Sequence, residues 1–147
     1  MDKTDHTWQI RDAVDGDIQF ADTKAGFIIG LALLGVALLG ELPPSPPPWK
    51  SALVAVAGLL FSGAIVASIL CVRPRAARTF GGTLFWGHIA AHGDFATYKQ
   101  ALEQSDALEE VARQAYEMAR IARRKYLFIA YATDFLLGGL ILLGVSL

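Results

Sequence analysis

The sequence predicts an all-α membrane protein with three transmembrane helices, an N-terminal amphipathic helix and a small helical cytoplasmic region. Three observations lead there. Apolar runs at 25–42, 51–72 and 126–147 are each long enough to cross a hydrocarbon core, which takes about 17–25 helical residues. The chain of 147 residues is 54% hydrophobic with a positive mean hydropathy, high for a soluble domain. Basic residues crowd between the second and third runs and nearly vanish between the first and second.

Residues 1–24 form the first expected element, an amphipathic cytoplasmic helix in which Ile10, Val14, Ile18 and Ala21 share a face. Gly16, between Asp15 and Asp17, weakens its middle, since glycine costs roughly 1 kcal/mol against alanine in a helix. The helix runs on into the first span, 25–42. There Gly26 and Gly30 make a small-xxx-small face that lets another helix approach, unless they are simply the glycines common in membrane helices. The prolines of 43–50 end that helix in a stiff external turn, and Trp49 stands where an interfacial aromatic belongs. The second span, 51–72, is again rich in small residues, and Cys71 at its end reads as a buried thiol.

Residues 73–125 are the cytoplasmic helical region. Thr79–Gly82 reads as a loop and Leu84–Ala90 as a short helix or turn; Asp94 caps a helix over Phe95–Leu102. A long final helix then starts in water and ends in lipid. Asp106 caps it, with Glu109 three residues on as in a capping box. Leu108, Val111, Ala112, Ala115, Ala119 and Ala122 recur along one face, and Glu109–Arg113 and Glu117–Arg120 are acid-before-base pairs. Arg120, Arg123, Arg124 and Lys125 form a basic collar before the third span, 126–147. By the positive-inside rule the N-terminus and 73–125 are cytoplasmic, with the proline turn and the C-terminus outside.

Composition excludes several classes. A net charge of −1 implies no nucleic-acid polymer as partner. The single cysteine permits no internal disulfide. The acidic start predicts no signal peptide, and Asp2 after Met1 predicts no myristoylation; no cysteine near the C-terminus invites prenylation. No catalytic or phosphate-loop motif is present, so no enzyme activity and no cofactor are expected. His88 and His92, four apart, could share a helix face as a metal pair would, but no third ligand accompanies them; surface histidines are the default and no metal is expected. No histidine lies inside a span, which removes axial haem ligation.

Two features remain. Asp134 is the one charge in the last span, and a carboxylate there costs several kcal/mol unless protonated, paired or wet. Ala130 and Gly138 flank it at i−4 and i+4, so an intramembrane polar contact with a neighbouring helix is one reading; a local backbone or serine hydrogen bond is the other. The second feature is the basic set Lys24, Arg75, Arg78, Arg113, Arg120 and Arg124, which could cradle a phosphate. With Trp86 it forms the candidate ligand-binding group. Topology and attraction to anionic lipid alone also account for it, and composition favours that plainer reading.

Phe20-Ala21-Asp22-Thr23-Lys24-Ala25-Gly26 leads into the first span, an arginine-ended second span precedes Leu84-Phe85-Trp86-Gly87, and a polar helix runs through Lys125-Tyr126 into the last span. From about Ile18 to the end, this order resembles the transmembrane effectors of the Pycsar antiphage systems. The resemblance implies an effector paired with a pyrimidine cyclase that makes cyclic CMP or cyclic UMP on infection. It implies inner-membrane impairment as the response, with abortive infection as the result. It carries over no binding residue one by one, and 73–125 contains nothing like a cyclic-nucleotide-binding β-roll. One copy is too small to enclose a pore, so a homo-oligomer in the bilayer is expected. The alternatives are a membrane anchor or adaptor docking a soluble partner through 79–125, and a small proton-linked transporter using Asp134.

Overall fold

The computed structural model describes residues 3–41, 47–73, 83–84 and 86–147, and of Trp86 the backbone alone. Among the described residues five helices follow in order: α1 (Lys3–Gly40), α2 (Pro48–Val72), α3 (Trp86–Ile89), α4 (Phe95–Gln104) and α5 (Ala107–Ser146). No strand occurs among the described residues. The all-α class holds, and α1, α2 and α5 are each long and apolar enough to cross a membrane.

α1 runs unbroken for 38 residues through Gly16. Glycine's cost of roughly 1 kcal/mol is small beside the propagation of a helix already nucleated on both sides. α2 begins earlier than the apolar pattern implied, at Pro48, so the turn expected over 43–50 gives up Pro48, Trp49 and Lys50 to the first helical turn. Proline is favoured at that position because its missing N–H would have had no partner there. Pro43–Pro46 fall outside the described residues. α5 continues for 40 residues from polar to apolar sequence, as its lack of turn signals required.

Packing divides the chain into two units. One comprises the described residues of 1–19 and 74–123, the other 20–73 and 124–147. In the first unit, Val111 is fully buried and Ala115 and Ala122 nearly so, while Leu108 is half-buried. Ala112 and Ala119 are exposed, so the apolar face of α5 is narrower than its spacing implied. Val14 and Ile18 are half-buried, but Ile10 remains exposed. Asp106 Oδ1 caps α5 by accepting from the Leu108 and Glu109 amides at 2.9 and 3.3 Å. Glu109 does not reach back to complete a capping box; it accepts instead from Arg113 at 2.7 Å.

The second unit is a three-helix bundle. Its core is built from Ala21, Ala25, Ile28 and Ala32 of α1, Ala57, Phe61, Ala64, Ala67 and Cys71 of α2, and Ile129, Ala132, Leu136 and Leu143 of α5. Phe61, fully buried, is its central knob. A Cβ placed on Gly35 of α1 would fall 2.5 Å from the ring, and one on Gly139 of α5 would fall 2.7 Å from it. The aromatic therefore fits where two helices present bare backbone, the close approach that small residues give membrane helices. The glycines singled out in the first span play no part in this: Gly26 and Gly30 have open space where a Cβ would stand. The hundred-degree step of the helix sets Ala21, Ala25, Ala32 and Gly35 on the packed side and leaves Gly26 and Gly30 on the other.

Helix directions follow from the contacts. Asp22 meets Lys125, and Gly35 and Gly139 meet the same Phe61, so α1 and α5 are parallel. Lys50 Nζ donates to the Ser146 carbonyl at 3.0 Å, and Phe135 lies against Gly63, so α2 is antiparallel to both.

Candidate functional site

Three of the candidate binding residues cannot be located: Arg75 and Arg78 lie outside the described residues, as do Thr79–Gly82 and the side chain of Trp86. The other four divide between the units. In the first, Arg113 pairs with Glu109 at 2.7 Å and Arg120 with Glu117 at 3.6 Å, with both arginine side chains more than half exposed. Such pairs are weak in water, and a better anion can displace the carboxylate. The same unit holds a contact that the sequence did not announce. Glu110 accepts from the Thr83 amide at 2.9 Å and from the Thr83 hydroxyl, and Tyr98 Oη donates to the Thr83 carbonyl at 3.3 Å. The His92 ring lies 5.6 Å from that of Tyr98. His92 is thus half of an aromatic contact, and no cluster of three potential metal ligands occurs among the described residues. Asp94 caps α4 by accepting from the Thr97 amide at 2.7 Å. The bonds from the Thr97 backbone and side chain hold its carboxyl below the ordinary value of 3.8.

In the second unit, the start of the apolar part of α1 meets the start of the apolar part of α5. Lys125, read from sequence as part of the basic collar, is buried and ion-paired to Asp22. Its side chain is 8% exposed, against 35% for Asp22. The Ala21 and Ala25 methyls, fully buried on either side of Asp22, bring the helices close enough for this pair. Lys24 points elsewhere. It is exposed, with Nζ 4.3 Å from the centre of the Phe20 ring and 5.9 Å from that of Tyr126. Its cation–π contacts hold the ammonium without neutralising it. Beside it opens a cleft of about 460 Å³ lined by Thr23, Lys24, Phe27, Ile28, Ile129 and Thr133. Arg124 is exposed.

These observations give roles to five residues of the Phe20–Gly26 stretch. Alanines at 21 and 25 pack, Asp22 receives the buried lysine, and Lys24 with Phe20 forms a cation–aromatic surface. A signal for the ion pair existed in the sequence, because Asp22 and Lys125 are opposite charges that each stand just before an apolar run. Unpaired, each would be a costly charge at a membrane edge.

Asp134 is exposed within one chain, and no hydrogen bond or ion pair reaches it from the described residues. The flanking Gly138 is in use: Leu60 of α2 would lie 3.2 Å from a Cβ there. Ala130 is exposed with Asp134. In chemical terms, each unit presents exposed cations, Arg113 and Arg120 in the first and Lys24 and Arg124 in the second.

A family model described as the Pycsar effector protein domain matches residues 6–147. No curated protein and no solved structure matches the chain.

Proposed function

The chain belongs to the Pycsar effector family, and on that premise we propose that it is the membrane effector that answers a cyclic pyrimidine mononucleotide made by a partner cyclase. The coarse role is antiphage defence from within a membrane. In the finer reading, cyclic CMP or cyclic UMP binds the basic cytoplasmic surface, the oligomer rearranges and the inner membrane fails, so the infected cell dies before phage mature. The protein itself performs no catalysis. The match over 6–147 is the observation that carries this reading.

The structure supports it in three ways. Arg113 and Arg120 hold only exposed, exchangeable acid partners, so a phosphate can take the place of Glu109 or Glu117. Asp134, exposed on a helix of spanning length, finds its most favourable partner on another copy, where Gly26 and Gly30 leave an open small-residue face. The polar clamps Asp22–Lys125 and Lys50–Ser146 are separated along α5 by roughly 32 Å at 1.5 Å per residue, close to the hydrocarbon thickness of about 30 Å. Their spacing suits a single crossing of the bilayer, and the basic residues favour an N-terminus inside and a C-terminus outside.

The test is induction with and without a neighbouring pyrimidine cyclase while membrane potential is followed. Depolarisation is expected only with the cyclase. A potential unchanged in both cases would favour the adaptor reading, for which Phe95, Leu102 and Tyr116 are among the exposed apolar side chains of the first unit.

A further inference from the structure

We propose that the cleft between α1 and α5 is a binding site for one anionic phospholipid, with the headgroup phosphate on Lys24 and an acyl chain laid over Phe27, Ile28 and Ile129. The proposal goes beyond the response to a nucleotide and needs only a membrane-embedded chain.

The lining of this cleft carries a single charge. Lys24 contributes it, from the part of α1 where polar sequence turns apolar. Its ammonium has aromatic neighbours, Phe20 and Tyr126, and no carboxylate partner among the described residues, so a positive charge is held in place and left unneutralised. One turn further on, α1 contributes Phe27 and Ile28, and α5 contributes Ile129 and Thr133. The Thr133 hydroxyl donates to the Ile129 carbonyl at 2.8 Å, so it is already committed within its own helix. The cleft thus combines one cation with an apolar floor, at about 460 Å³ a size usual for ligand sites.

A cyclic nucleotide shares the phosphate but suits the cleft poorly. Its ribose and pyrimidine edges need hydrogen-bond partners, and burying them against Phe27, Ile28 and Ile129 would leave them unsatisfied. An acyl chain asks for nothing except apolar surface. Neighbouring Lys125 does not compete for the phosphate, because its charge is already taken by Asp22.

The test is electron paramagnetic resonance of spin-labelled phospholipids with the full chain reconstituted in phosphatidylcholine. The wild type should immobilise labelled phosphatidylglycerol about fivefold more strongly than labelled phosphatidylcholine, the factor expected from one favourable lysine–anion contact. Lys24→Gln should bring that ratio near unity, and Lys24→Arg should retain it. Ile129→Trp, which fills the cleft, should lower the ratio although Lys24 is intact, whereas Leu127→Trp on the exposed side of α5 should not. Equal immobilisation of the two lipids by the wild type would overturn the proposal. Undiminished selectivity in Lys24→Gln would overturn it as well, by assigning the preference to the basic collar at large. Millimolar cyclic CMP or cyclic UMP should leave the signal unchanged; displacement of the lipid by either would assign the cleft to the nucleotide instead.

Discussion

The carboxylate of Asp22 and the ammonium of Lys125, 103 residues apart in sequence, form an ion pair that joins α1 to α5, with the lysine side chain 8% exposed. A lysine so placed has little access to water, so its partner sets what the site tolerates. Asp22→Asn should destabilise the bundle by about 3 kcal/mol, at the low end for an orphaned buried charge because Asp22 itself stays partly wet. Lys125→Met, which removes the charge and keeps the length, should cost less. The check is thermal unfolding in detergent, with the exchanged pair Asp22→Lys plus Lys125→Asp as the rescue. An Asp22→Asn melt matching wild type would show that the pair contributes nothing.

Gly35 and Gly139 are predicted to reject even a methyl group. Each would bring a Cβ within 2.7 Å of the Phe61 ring, so alanine at either position overpacks the core by about 1–3 kcal/mol. Phe61→Leu in the same chain should recover part of the loss. Gly26→Ala and Gly30→Ala should leave the melting of a single copy unchanged, because nothing stands within 4 Å of the added carbon. Loss of depolarising activity in those two variants, with melting intact, would mark an assembly defect.

Asp134 is predicted to act between copies. Membrane hydrogen bonds average only about 0.6 kcal/mol, so Asp134→Asn should largely preserve folding and oligomer size. Asp134→Leu should insert better yet lose the specific contact. Size in detergent and cyclase-triggered depolarisation distinguish them, and a leucine variant equal to wild type in both would reduce Asp134 to a tolerated passenger.

The arginine face of α5 is predicted to hold the nucleotide phosphate. Losing a charge-assisted bond costs about 1.5–3 kcal/mol, so Arg120→Gln or Arg124→Gln should weaken binding of cyclic CMP or cyclic UMP roughly tenfold or more. Calorimetric titration measures this directly. Unchanged affinity in both variants would move the nucleotide away from that face.

The α4 cap should titrate. Asp94 has its carboxyl held below the ordinary value of 3.8, so its stabilising effect is complete above that value. The effect fades as pH falls through the lowered pKa. Protection of the Thr97 amide from exchange should decline in that acid range in the wild type. Asp94→Asn, an equally good cap without a charge, should show no such decline.

Length, apolar runs and basic asymmetry determined the class of this protein from sequence alone, because a chain in lipid must satisfy its backbone hydrogen bonds internally and an unbroken apolar run of spanning length does so as a helix. The caps at Asp94 and Asp106 and the buried state of Cys71 were equally legible, since each depends on neighbours within a turn or on position in an apolar run. The Phe20–Gly26 stretch carried the family, but not the reason for its residues. That Lys125 is a buried partner of Asp22 while Lys24 stays outside on aromatic rings was decided by the tertiary structure. So was the choice of Gly35 over Gly26 and Gly30 as the close-approach glycine of α1. Which side of a nearly uniform apolar helix faces its neighbours depends on shape complementarity with those neighbours, and a pattern with little amphipathic contrast holds no record of it.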